Sequence, residues 1–80
     1  MKRKGWLVKM FNDQSGICAY CNVEMTLSLG YNHTATRDHV VAKSRGGANH
    51  KSNLIAACYK CNYAKADKPL SVFLEELRNE

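Results

Sequence analysis

The sequence predicts a small α+β domain in which two short strands and a helix are stapled by a four-cysteine zinc site, with a further helix at each end. Three observations predict it. The cysteines form two Cys-x2-Cys pairs, Cys18 with Cys21 and Cys58 with Cys61, with residues 22 to 57 between them. From Thr34 to Ala66 the chain passes from β-branched residues to a polar loop, a short apolar run and a helical pattern. At the two ends, Trp6, Leu7, Met10 and Phe11, and then Leu70, Phe73, Leu74 and Leu77, recur at helical spacing.

A staple is needed because the chain is short. Residues 1–80 are expected to form one domain, and a chain of this size buries only about 60% of the surface its unfolded form exposes. Below roughly 80 residues, disulfides, a metal or a partner usually supply the missing stability. The opening MKRKGWLVKMF is basic and lacks a continuous apolar stretch, and no segment approaches a membrane span. The chain is therefore expected to be cytoplasmic, in a bacterial, phage or mobile-element setting. Thiols stay reduced there, so Cys18, Cys21, Cys58 and Cys61 are expected to hold a structural zinc ion rather than disulfides. A redox role fits poorly, since it needs a single such pair beside a βαβ unit.

The first element is an amphipathic helix over Lys4 to Asp13, ended by Gly16. Trp6 and Phe11 share its apolar stripe and are expected to pack rather than stack on bases, with Lys2, Arg3, Lys4 and Lys9 outside. The Cys18–Cys21 knuckle follows, a tight turn that aims backbone amides at the thiolates. Within residues 22 to 34, Gly30, Asn32 and His33 suggest a turn between two short extended pieces. Thr34 to Val41 is a strand ending just past Asp38-His39, Ala42 to Ser52 a surface loop, and Leu54 to Ala57 the return strand. Tyr59 to Ala66 is a helix with Cys61 and Asn62 in its first turns, broken by Asp67-Lys68-Pro69. The last helix runs from Leu70 to the C-terminus, and Pro69 is tolerated because first-turn N–H groups lack partners anyway.

Net charge is +5, and residues 35 to 68 carry seven basic residues against two acidic ones. A localised basic surface concentrates polyanions and releases their counterions, the usual footprint of nucleic-acid binding. A solvated lysine face is the plain alternative, and coincidence with the Asp-His pair favours nucleic acid.

Hydrolysing a phosphodiester needs an activated water, a cation for the developing charge and positive groups to hold the strand. An imidazole titrates near neutrality and suits a general base, a role for His39. Neighbouring strand residues point to opposite faces, so Asp38 and His39 are expected to divide the labour. Asp38 and the side-chain carbonyl of Asn62 are hard oxygen donors suited to Mg²⁺ or Mn²⁺. Candidate phosphate contacts are Lys43, Arg45, Lys51, Lys60 and Lys65, with Arg45 and Lys65 foremost because a glycine loop and a helix face present them. Taken singly, Asp38 fits an ion pair with Arg37 or a lysine, His39 a bonded core histidine, Asn53 a turn cap and Asn62 a helix-end cap. Their common order around a zinc framework favours a site. His33 and His50 lack such context and are expected at the surface.

Asp38-His39, then Asn53, then Cys58-x2-Cys61-Asn62 resembles the HNH endonuclease family, in its zinc-bearing four-cysteine branch and HNN variant, over about residues 17 to 68. The resemblance implies the ββα-metal, or His-Me finger, fold. It also implies His39 as general base, Asn53 as the residue that orients it, and Asp38 with Asn62 on one divalent ion. Asn62 stands where many members carry histidine, and Ala42 where proline is common. The expected function is a metal-dependent DNA endonuclease that nicks, since one site cuts one strand, leaving a 5′ phosphate and a 3′ hydroxyl. Double-stranded DNA is the expected partner, and RNA is compatible with the same chemistry. The alternative is a zinc-stapled module that binds nucleic acid or protein without cutting.

Overall fold

A computed structural model describes residues 2–79 of the chain. Its elements are α1 (Lys2–Asp13), β1 (Ala35–His39), β2 (Leu54–Cys58), α2 (Tyr59–Lys65) and α3 (Leu70–Arg78). The loop between the strands holds two single-turn 3-10 helices, Lys43–Arg45 and Lys51–Asn53. The expected ββα order is present, in a small α+β arrangement. β1 is shorter than expected, stopping at His39, because the chain bends at Val40 and Val41.

Helix α1 ends where Ser15 and Gly16 take positive φ, and the Gly16 N–H donates to Phe11 O at 2.8 Å. A Cβ on Gly16 would sit 3.1 Å from the Phe11 ring, so both backbone and packing require glycine there. Leu7, Met10 and Phe11 pack against the core. Trp6 departs from the expectation: it is 38% exposed, over a groove that it lines with Met10, His50, Lys51 and Leu54. Lys9 is exposed as expected, while the side chains of Lys2, Arg3 and Lys4 lie outside the described residues.

Strands β1 and β2 pair antiparallel, with Ala35 opposite Cys58, Asp38 opposite Ile55 and His39 opposite Leu54. A two-stranded ribbon is marginal by itself in water. Gln14 completes the free edge of β2: its Nε2 donates to Ala56 O and its Oε1 accepts from Ala56 N, each at 2.9 Å. One side-chain amide thus takes the place of a strand residue. Residues 22–34 form no named strand, and isolated bridges join Ile17 to Glu24 and Thr26 to Thr34.

The core is Cys18, Met25, Ala35, Ala56, Ala57, Cys58, Cys61 and Phe73. Alanine and cysteine bury little apolar area, so the hydrophobic contribution is thin. Phe73 of α3 is the largest apolar piece, and it meets the Tyr20 ring edge-on at 5.3 Å and 80°. Among the described residues, no helix is long and apolar enough to cross a membrane.

Candidate active site

The four cysteine sulfurs lie within 4.8 Å of one another, and Cys21 Sγ is 3.7 Å from Cys58 Sγ. A disulfide needs about 2.05 Å, and all four cysteines are free. Ligands at about 2.3 Å around a tetrahedral ion stand roughly 3.8 Å apart, which matches. Backbone amides serve the sulfurs as the knuckle geometry requires: Tyr20 N and Cys58 N donate to Cys18 Sγ at 3.4 and 3.3 Å, and Cys61 N to Cys58 Sγ at 3.4 Å. Burial works to raise the Cys18 thiol, but the amides of Cys21, Cys58 and Tyr20 outweigh it and bring it down to about 7. Burial pushes Cys58 and Cys61 up. Crowded thiols of this kind, three of them buried, fit a thiophilic cation, so this is a structural metal site of the type zinc fills.

Beyond the staple is a cleft of about 260 Å³ lined by Arg37, Asp38, His39, Lys43, Asn62 and Asp67. Asp38 and His39 both line it. His39 is the last residue of β1, where the ladder ends and the chain bends at Val40.

The Asp38 carboxylate is 3% exposed and its two oxygens have different surroundings. Oδ2 accepts from the Tyr20 hydroxyl at 2.5 Å and lies 3.4 Å from Lys65 Nζ. Burial, and then the bond to Asp38, pushes the Tyr20 phenol up, which keeps its proton available as a donor. Among the described residues Oδ1 accepts no hydrogen bond, and no fully buried side-chain N or O is unpaired, so Oδ1 meets the cleft. Asn62 is oriented as firmly. Its Nδ2 donates to Arg37 O at 3.0 Å and to Thr36 Oγ1 at 2.9 Å, while the Thr36 hydroxyl proton is spent on Ala57 O. Both partners accept only, so the amide cannot be reversed, and its oxygen is left for the cleft.

His39 Nε2 stands 3.1 Å from Asn49 Oδ1. An amide oxygen only accepts, so Nε2 carries the proton in that pairing and the lone pair of the neutral ring resides on Nδ1. Asn53, expected to orient the base, makes no hydrogen bond to His39. Its Nδ2 donates to Val41 O and Ala48 O at 3.0 and 2.9 Å, and its Oδ1 accepts from Val41 N at 3.0 Å. It therefore pins both ends of the loop that carries Asn49. Gly47 lets the loop close, since a Cβ there would fall 1.8 Å from Val41 O.

The model of the HNH endonuclease family matches residues 18–68. The chain belongs to the HNH endonuclease family. The HNH domain is 30% identical over 69 residues to a CRISPR-associated endonuclease Cas9 of Corynebacterium diphtheriae, an alignment covering 85% of this chain and 6% of that protein. It is 34% identical over 64 residues to a CRISPR-associated endonuclease Cas9 of Actinomyces naeslundii, covering 79% of this chain and 5% of that protein. The chain thus spans about a twentieth of the length of these relatives.

The basic residues of the HNH domain do not all sit where the sequence suggested. Lys65 was expected to contact phosphate, and the structure corrects this: it is 1% exposed, with Nζ donating to His39 O at 2.9 Å and paired with Asp38. The face of α2 that carries Lys65 is covered by the end of β1, so the ammonium finds a carboxylate before it finds solvent. Lys43 is exposed at the HNH cleft. Arg45 is exposed and donates from Nε to Asp67 O at 2.5 Å. Lys51 lines the α1 groove and Lys60 a groove with Cys21 and Phe73, both away from the cleft. Tyr20 and Asn49 escaped sequence reasoning. Their one signal is position, inside the cysteine knuckle and just past the glycine pair.

Proposed function

We propose that residues 1–80 act as one metal-dependent DNA endonuclease domain, cytoplasmic in setting, that nicks double-stranded DNA with His39 as general base. The observation that carries this reading is the cleft, which Asp38, His39 and Asn62 line together, the Asp38 and Asn62 side chains each keeping an Oδ1 that accepts no hydrogen bond among the described residues. Asn49 holds Nε2, so Nδ1 takes the proton of a water that attacks phosphorus. The P–O3′ bond breaks, and the products are a 5′ phosphate and a 3′ hydroxyl. Asp38 and Asn62 offer hard oxygens that fit Mg²⁺ or Mn²⁺, which would neutralise charge on the nonbridging and leaving oxygens. Zinc is the ion that best fits the four thiols. Lys43, with Arg37 beside it, holds the strand at the cleft, Arg45 extends the positive rim, and Lys51 and Lys60 attract the polyanion from further off. Asn53 and Lys65 act through other residues, Asn53 on the Asn49 loop and Lys65 on Asp38.

The test is supercoiled plasmid incubated with the zinc-loaded protein and Mg²⁺ or Mn²⁺. Open circles should form, and His39→Ala should slow them roughly 100-fold or more. Equal nicking by that variant rejects the assignment. Salt-sensitive binding with no product, indifferent to His39→Ala, would instead make the domain a binding module.

A further inference from the structure

Tyr31, Tyr59 and Tyr63, of four tyrosines in the chain, are 54%, 50% and 76% exposed. Tyr59 and Tyr63 sit one turn apart on α2 and stack at 6.0 Å with 22° between planes. Tyr59 and Tyr31 line a shared cavity of about 330 Å³ together with Leu29, Asn32 and Thr36. Leu29 is 85% exposed, so this face offers apolar and aromatic surface that the fold does not use.

The face adjoins the nuclease cleft. Thr36 lines the tyrosine cavity, and its hydroxyl accepts from Asn62 of the cleft at 2.9 Å. Tyr63 follows Asn62 in the chain, and Arg37 of the cleft follows Thr36. A strand whose phosphate occupies the cleft therefore has a short path to the tyrosines. The cavity lining carries no charge of either sign, so stacking rather than ion pairing is what it offers a base.

We propose that Tyr59 and Tyr63, with Tyr31 at the far wall, form a stacking platform for unpaired bases beside the scissile phosphate. The domain would then prefer a nucleic-acid strand that is single-stranded on one side of the cut. Aromatic rings stack on any base face, but in a duplex those faces are already covered by their neighbours. The 6.0 Å ring spacing is too small to admit a base between Tyr59 and Tyr63, so bases stack on the outer Tyr63 face and enter the cavity beside Tyr59. This rests on the nuclease reading for the direction of the strand.

The experiment compares a fluorescein-labelled single-stranded oligonucleotide with the same sequence as a duplex, binding to zinc-loaded protein without Mg²⁺ or Mn²⁺. Tyr63→Ala is expected to raise the single-strand Kd roughly tenfold and to leave the duplex Kd within about twofold. Tyr63→Phe keeps the ring and should bind like the parent chain. These side chains are exposed, and the zinc content of each variant verifies its fold. Unchanged single-strand binding by Tyr63→Ala and by Tyr59→Ala overturns the platform and leaves the face to a protein partner. Equal losses on both substrates, or loss in Tyr63→Phe, also overturn it. Cleavage is scored separately in Mn²⁺: selective binding loss without cleavage in any chain sinks the nuclease reading and keeps the platform, and normal cleavage with unaltered binding does the reverse.

Discussion

Lys65 Nζ lies 3.4 Å from Asp38 Oδ2, and both side chains are almost fully buried. One ammonium, at the end of α2, thereby holds the carboxylate of Asp38 and, at 2.9 Å, the backbone carbonyl of His39. A cation at a helix C-terminus is also favoured by the helix dipole. The two residues nearest the proposed chemistry are thus fixed by a third that is itself almost fully buried.

Lys65→Met should therefore destabilise the zinc-loaded domain by about 3–5 kcal/mol, because it leaves a buried carboxylate without its partner. Denaturant unfolding measures it. Adding Asp38→Asn should recover part of the loss, since the uncompensated charge disappears. A single variant within about 1 kcal/mol of the parent chain would show that the pair does not carry this energy.

Asn49→Ala and Asn53→Ala should each slow plasmid nicking roughly 10- to 100-fold, the usual effect of removing a supporting hydrogen bond behind a reactive group. Both act on His39 through one loop, so the double variant should be little worse than the poorer single one. Losses that multiply would separate the two residues into independent roles.

Gly47→Ala should cost about 1–3 kcal/mol through forced displacement of Val41. Gly46, whose φ is +88° with open space around it, should cost less when replaced by alanine, near 1 kcal/mol. Thermal melts followed by circular dichroism rank the two. A reversed order would contradict the close approach at Gly47.

Stripping the thiol-bound ion with a strong chelator should unfold the chain, with about one zinc released per chain. Structural zinc contributes about 10–16 kcal/mol in small domains, against roughly 5–15 kcal/mol for the stability of whole proteins. A weak chelator that removes only Mg²⁺ or Mn²⁺ should stop nicking and leave the far-ultraviolet spectrum intact. Retained structure after complete zinc loss would mean that the thin alanine and cysteine core suffices.

The sequence alone determined the two cysteine pairs as a staple, the order of strand, loop, strand and helix, and the succession of Asp38, His39, Asn53 and Asn62. All of these are written in spacing, periodicity and residue chemistry, which are local along the chain. The tertiary structure alone decided the partners. It set Lys65 against Asp38 instead of a phosphate, put Tyr20 on the same carboxylate, gave Asn49 rather than Asn53 to the imidazole, and closed the edge of β2 with Gln14. A long polar side chain on a helix or turn has the same local pattern whether it ends in solvent or on a carboxylate. Which end it finds depends on the element that crosses its face, and that crossing arises only when distant segments are folded together.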